Sequence, residues 1–244
     1  MSRNTLAIII GFSVLISGAF ITWRMIVRST PPPTPKTTVT MPEGWRVSQI
    51  NDLLKEKSVL LEEELPQALE GYLFPDTYEF FLDSSVDVVE DRFIEHLQSQ
   101  LDQLGLSVDD ERTKEILTVA SLIQQEIQDP GEMRVASGVM WKRIDAGIPL
   151  QVDASLCYIK EQSGRECLPI TGADKTIDSP YNTYLYQGLP PGPIANPGID
   201  AIEASLNPAR SPYWYYISDP DTGRTIFART LDEHNLNVIK YLSE

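Results

Sequence analysis

The chain of 244 residues carries 20 Lys and Arg against 35 Asp and Glu, a formal net charge of -15. So acidic a chain lacks the clustered cations that phosphate binding requires, which excludes a nucleic-acid partner. With 42% apolar and 23% charged residues it can build one core of ordinary size, and wholesale disorder is excluded with it.

Residues 4–23 are uncharged and strongly apolar (NTLAIIIGFSVLISGAFITW). As a helix they would span about 30 Å, the thickness of a hydrocarbon core, with Trp23 at the interface. A cleaved signal peptide is the alternative, with a shorter h-region and a weak small-residue site at Ser17, Gly18 and Ala19. Arg24, Arg28 and Lys36 follow the span, so the positive-inside rule does not favour an outside domain, though long domains translocate despite such charges. The expectation is residues 1–28 as a cytoplasmic tip and single-pass transmembrane helix in the cell (inner) membrane, with the remainder extracytoplasmic. Residues 29–38, with Pro31, Pro32, Pro33 and Pro35, form an extended Pro-rich tether.

Residues 39–69 read as a short strand, a turn from Pro42 to Gly44, and a helix with Val47, Ile50 and Leu54 on one face. An aromatic-rich extended stretch surrounds Pro75. Residues 87–104 make an amphipathic helix with Val89, Phe93, Leu97, Leu101 and Leu104 in one stripe, ended by Gly105. Ser107 and Asp110 resemble a capping box for the next helix, which runs to about Gln128. A further helix over about 132–146 carries Met133, Ala136, Met140 and Ile144 on one face. Beyond Gly147 proline, glycine and aromatics dominate, which predicts a β-rich half. It includes a hairpin turning near Asp219 to Arg224, and a closing helix holds Leu231 to Leu242. Cys157 and Cys167 bracket a short polar segment. They either close a disulfide loop in an oxidising compartment or are two unrelated buried thiols.

Glu126 follows Val119, Leu122 and Ile123 by seven, four and three positions, so it shares their helical face. A carboxylate there is costly when ionised, and desolvation would lift its pKa towards the range of a general acid. From this pattern alone, a Glu paired with a core cation, or one at the edge of the stripe, is the more common case.

The segments LEGYLFPDTYEF, VASLIQQE, ASGVMWKRIDAGIPLQVDAS, SPYNTYLYQGLPPGPIANPG and NPARSPYWYYIS occur in this order. Together they resemble the YceG-like (MltG) family of endolytic murein transglycosylases, from Val39 to the carboxyl terminus. The resemblance implies an α+β protein in which residues 39–69 are a truncated LysM-like piece and residues 70–244 a mixed helical and β catalytic domain. It implies cleavage of the MurNAc–GlcNAc bond of peptidoglycan with formation of 1,6-anhydro-MurNAc, terminating nascent strands. Glycan strands, the cytoplasmic membrane, peptidoglycan synthases and penicillin-binding proteins are the implied partners, and no cofactor or metal is expected. Family members carry two Glu in a helix reading like A-S-I-x-E-K-E. Here the first position is Gln124, which leaves Glu126 as the implied catalytic residue. Gln151 and Asp153 match the L-Q-x-D motif and, with Tyr181, Asn182, Thr183, Tyr184 and Asn196, are the candidate substrate contacts. For Gln151 and Asp153 a turn-stabilising pair, and for Asn196 a local turn bond, are the structural alternatives.

Two other readings stay open: a non-catalytic anchored module that binds glycan or scaffolds synthases, and a lysozyme-type hydrolase using Asp153 as its second carboxylate. The Asp221-Thr222-Gly223 triplet of aspartic proteases falls in the expected hairpin turn and lacks a second copy. His96 and His234 sit in no metal-binding pattern.

Overall fold

The computed structural model describes residues 35–242, so the expected transmembrane helix and most of the Pro-rich tether lie outside the described residues. Among the described residues, no helix is long and apolar enough to cross a membrane. The site lies wholly in the compact unit that begins at Thr37.

Strand β1 (Lys36–Thr40) pairs with β2 (Thr77–Phe81) in a two-stranded sheet. Between them α1 (Val47–Glu56) buries Val47, Ile50 and Leu54, the face that the spacing predicts. These side chains join Val39, Leu73, Tyr78 and Phe80 in one apolar cluster. Helix α2 (Val86–Gln103) belongs to two clusters. Val89 and Phe93 enter this first one, while Leu97 and Leu101, one and two turns further on, enter a larger second one. One amphipathic stripe therefore welds two cores together.

The centre of the larger core is α3 (Glu111–Glu126), in which every residue from Ile116 to Ile123 is buried. It packs against α4 (Pro130–Asp145) and α6 (Ile199–Leu206), and touches α5 (Asp153–Gln162). Close approach is built into α4 at Gly138. A Cβ there would lie 2.0 Å from the Ala209 carbonyl oxygen, closer than any side chain allows. Helix α4 opens on Pro130, and the Asp129 side chain caps it by accepting from the Glu132 N–H at 2.8 Å.

The expected capping box before α3 is not formed. The helix starts at Glu111, and its N-cap Asp110 makes no side-chain cap bond. Instead the Ser107 carbonyl accepts the Asp110 N–H at 3.1 Å, so this polar stretch is a turn preceding the helix.

The expected β-rich half is also corrected. Beyond Gly147 the chain contributes α5, α6, α7 (Leu231–Leu242) and one hairpin, β3 (Tyr215–Ser218) with β4 (Thr225–Ala228), paired Tyr215↔Ala228 through Ser218↔Thr225. Helices α5 and α6 are ten and eight residues long and are flanked by Pro and Gly, too short for a periodic signal to stand out. The α+β class stands. In the hairpin turn Asp219 accepts from the Asp221 N–H and the Thr222 hydroxyl, so the Asp-Thr-Gly triplet is turn chemistry.

Cys157 of α5 is disulfide-bonded to Cys167, ten residues on. The pair tethers the loop that returns from α5, where Lys160 and Arg165 each approach the Asp174 carboxylate at 3.6 Å. Closing so short a loop stabilises by about 3 kcal/mol through the unfolded chain. Replacing both cysteines by serine should lower the melting temperature by roughly 5–10 °C, read by differential scanning calorimetry. An unchanged transition would mean that the loop is held by its ion pairs alone.

Candidate active site

Glu126 is the last residue of α3. The helix is wrapped on all sides, so the carboxyl group owes its enclosure to where α3 ends and not to an apolar stripe. It ends against the first turn of α5, and the Ala154 N–H donates to Glu126 Oε1 at 3.3 Å. The N-cap of α5, Val152, has no side chain to offer that turn, so the Glu126 carboxylate takes the place of a capping oxygen. The Ser218 hydroxyl of β3 donates to the Glu126 carbonyl at 3.0 Å and fixes the helix end to the hairpin.

Burial raises the Glu126 pKa to about 7; the Ala154 N–H opposes the shift and the neighbouring Asp153 charge adds to it. Near neutrality the group is thus divided between donor and acceptor forms, as a residue that must first give and then take a proton requires.

Glu126 lies in a cleft of about 530 Å³, together with Gln151, Asp153, Tyr184, Arg143 and Tyr216. The Tyr184 hydroxyl donates to Asp153 Oδ1 at 2.5 Å. Burial, followed by that bond, raises the phenol's pKa, so it stays a donor. Gln151 has φ +56°, a left-handed conformation for a residue with a side chain. Its N–H is held by the Thr183 carbonyl at 2.9 Å and its Oε1 by Arg143 Nη2 at 3.0 Å. Local strain at a cleft wall, maintained from two sides, is a feature of functional sites.

Arg143 was not among the sequence candidates. It is buried in α4, donates from Nε and Nη2 to the Pro149 carbonyl at 3.1 and 2.6 Å, and lies 5.4 Å from the Tyr215 ring. No carboxylate pairs with it among the described residues. Burial lowers its pKa, while Tyr216 and Tyr215 favour the cation. A signal was present: Arg143 follows Ala136 by seven and Met140 by three, on the apolar face of its helix. Tyr216 has its phenol pKa raised by burial and then by Glu126. It comes from a hairpin whose approach to the helices no local pattern announces.

Three of the expected substrate contacts are buried and hydrogen-bonded inside the protein. Asn182 is buried, donating to the Lys175 and Ile177 carbonyls and accepting the Tyr184 N–H. Thr183 is buried, and its hydroxyl accepts the Val152 N–H at 2.9 Å and meets Ser155 Oγ at 2.9 Å. Asn196 is 1% exposed and joins three separate segments. Their amide and hydroxyl groups resemble a carbohydrate-binding set but are consumed inside the protein. Tyr181 is only half-buried, but its ring lies 4.8 Å from Tyr158, in a different groove from Glu126.

Gln124 does not face the cleft. Its Oε1 accepts the Gly198 N–H at 2.9 Å, at the start of α6, a bond that a carboxylate oxygen would make equally well. Gln125 donates to the Gly44 carbonyl at 2.8 Å. Of the three polar residues ending α3, Glu126 alone reaches the cleft.

Residues 21–240 match the model of the YceG-like family. The chain is 34% identical over 207 residues to an endolytic murein transglycosylase of Bacillus subtilis (strain 168), covering 80% of this chain and 55% of that protein. It is 30% identical over 179 residues to the endolytic murein transglycosylase of Streptococcus pneumoniae serotype 2, covering 72% of this chain and 32% of that one. The chain thus spans about half, or a third, of the length of these relatives. A crystal structure of a yceG-like protein from Listeria monocytogenes superposes with a TM-score of 0.68 at 28% identity, covering 89% of this chain and 80% of that one.

Proposed function

The chain belongs to the YceG-like family, and we propose that it is a peptidoglycan lytic transglycosylase in which Glu126 is first the acid and then the base. One observation carries this reading: a carboxyl group ending a buried helix in a cleft, its pKa raised to about 7 by burial, beside an Asp153 that is already engaged by the Tyr184 hydroxyl. In the protonated form it donates to the glycosidic oxygen between MurNAc and GlcNAc, and an oxocarbenium-like centre develops. The resulting carboxylate is met by the Ala154 N–H at the positive end of α5 and removes the proton of the muramyl 6-hydroxyl. That oxygen closes the 1,6-anhydro ring, so no water is consumed. Asp153 and Tyr184 form a fixed hydrogen-bonded wall, and Arg143 holds Gln151 in its strained conformation. Residues 1–28 would hold the catalytic domain at the membrane, with the tether of residues 29–38 and the piece of residues 39–69 in between. There, cutting nascent strands beside peptidoglycan synthases and penicillin-binding proteins would terminate elongation.

Mass spectrometry of the products from peptidoglycan and the full chain in detergent tests the chemistry. Anhydro-muramyl ends are expected. Reducing ends would replace this reading with a hydrolase using Asp153, and bound but uncut glycan would replace it with a scaffold. Because the acid form is required, kcat/KM should fall about tenfold per pH unit above about 7. A fall beginning near pH 5 would show that Glu126 titrates as an ordinary carboxylate.

A further inference from the structure

We infer that the groove beneath Tyr181 is a second saccharide-binding site, separate from the cleft of Glu126, which grips the same glycan strand away from the cut. The inference rests on murein being the substrate. The groove has a volume of about 440 Å³ and is bounded by Gln67, Tyr72, Lys114, Tyr181, Gly192 and Pro193. Two half-buried phenol rings and a proline edge offer flat apolar surface, while an amide and an ammonium offer polar contacts. A sugar ring, apolar on one face and rimmed by hydroxyls, presents the complementary surface.

The polar part is organised in advance. Glu70 forms the floor, 4% exposed, accepting from the Val47 N–H, from Gln67 Nε2 at 2.7 Å and from Asn196 Nδ2 at 3.2 Å. Gln67 Nε2 also lies 3.3 Å from the Tyr158 hydroxyl, so the amide is oriented although its residue is exposed. Its Oε1 has no hydrogen-bond partner among the described residues and is placed to accept from a sugar hydroxyl. Tyr181, its ring tilted against that of Tyr158 at 4.8 Å, is likewise fixed before any ligand arrives.

Two elements connect this groove to the catalytic cleft. The segment from Tyr181 to Tyr184 puts its first ring in the groove and its last in the cleft, and three peptide units separate their Cα atoms by at most about 11 Å. Helix α5 repeats the connection, with Asp153 in the cleft and Tyr158 behind Tyr181. A polymer lying across the cleft can therefore occupy both. The burial of Asn182 and Thr183 now has a purpose: they fix the segment that carries the two tyrosines.

Gly192 supplies the test, because its φ is not left-handed and a Cβ there would meet only the Tyr181 hydroxyl, at an ordinary 3.7 Å. A leucine at that position would fill the groove without straining the backbone. In the isotope-labelled full chain carrying Glu126→Gln, chitotetraose should shift the amide signals of Tyr181 and Gly192 as well as that of Tyr184. Adding Gly192→Leu should abolish the Tyr181 shift, retain the Tyr184 shift, and weaken binding of uncrosslinked glycan strands at least about tenfold. Lys114→Glu, on an exposed side chain, serves as the second variant and should weaken strands, whose stem peptides bear carboxylates, more than uncharged chitotetraose. Shifts confined to the Tyr184 side, or strand affinity unchanged in both variants, would overturn the second site. Failure of the catalytic reading shows separately, as absence of cleavage by the unmutated chain whichever signals move.

Discussion

Glu126→Gln should abolish cleavage of peptidoglycan while making the folded chain more stable above neutral pH. Loss of the proton donor and acceptor removes at least the 10²–10⁴-fold that acid–base catalysis typically supplies, and no neighbouring group is placed to substitute. Asp153 is engaged by the Tyr184 hydroxyl, and Gln124 by the Gly198 N–H. The stability effect follows from the same burial that tunes the acid. A folded pKa of about 7 against an ordinary 4.5 means that the native state favours the protonated group. Its contribution is therefore full below pH 4.5 and is lost as pH rises through about 7, by at most about 3 kcal/mol. A neutral glutamine of the same shape avoids that loss. Denaturant unfolding of the two proteins should thus coincide at pH 4 and diverge at pH 8 in favour of the variant. Burial also raises Glu70 to about 7, which gives both proteins a pH dependence of the same sign, so only their difference reports Glu126. A variant less stable at pH 8 would show that the carboxylate is welcomed by the Ala154 N–H more than burial disfavours it.

Glu126 was legible because its helix announces itself: an unbroken buried run from Ile116 to Ile123 with an acid three residues beyond it. The reason for its burial was not. Position along α3 placed Glu126 beside Leu122 and Ile123. Only the first turn of α5, 28 residues later and invisible as a pattern, shows that the carboxyl group ends inside a cleft and on a helix N-terminus. Long amphipathic helices such as α2 carry their burial in their own periodicity. Short helices between prolines do not, and for that reason α5 and α6 fall in the stretch whose composition predicts a β-rich half. Within the substrate-contact set, Gln151, Asp153 and Tyr184 line the cleft, while Asn182, Thr183 and Asn196 are engaged inside the protein. Amides, hydroxyls and aromatics are the residues that bind sugar, and they are equally the residues that satisfy buried loop backbone. Composition cannot separate the two uses, whereas the hydrogen-bond partners of Asn182 and Thr183 do so at once.

Asn196 shows the distinction most sharply and carries the second large expectation. Its Oδ1 accepts two N–H groups, from Gly71 and Leu73, each at 2.9 Å, and its Nδ2 donates to the Trp45 carbonyl at 2.8 Å and to Glu70 at 3.2 Å. Its backbone pairs with the same turn, the N–H with the Trp45 carbonyl and the carbonyl with the Gly44 N–H. One amide thereby joins the turn before α1, the segment leading into β2, and the loop before α6. Asn196→Ala would leave the Gly71 and Leu73 N–H groups buried without partners, at about 1–3 kcal/mol each. It would also remove one donor from the Glu70 carboxylate. A loss of roughly 3–5 kcal/mol in urea unfolding is expected, large against the 5–15 kcal/mol that stabilises a typical domain. Asn196→Asp keeps the acceptor but sets a second carboxylate against Glu70, so its defect should be severe at pH 8 and partly relieved at pH 5, where one of the pair takes a proton. A substrate-binding residue behaves in the opposite way: its alanine variant unfolds like the parent and shows its loss in KM alone. An Asn196→Ala protein with parental stability and weakened glycan binding would return this residue to the site from which its burial removes it.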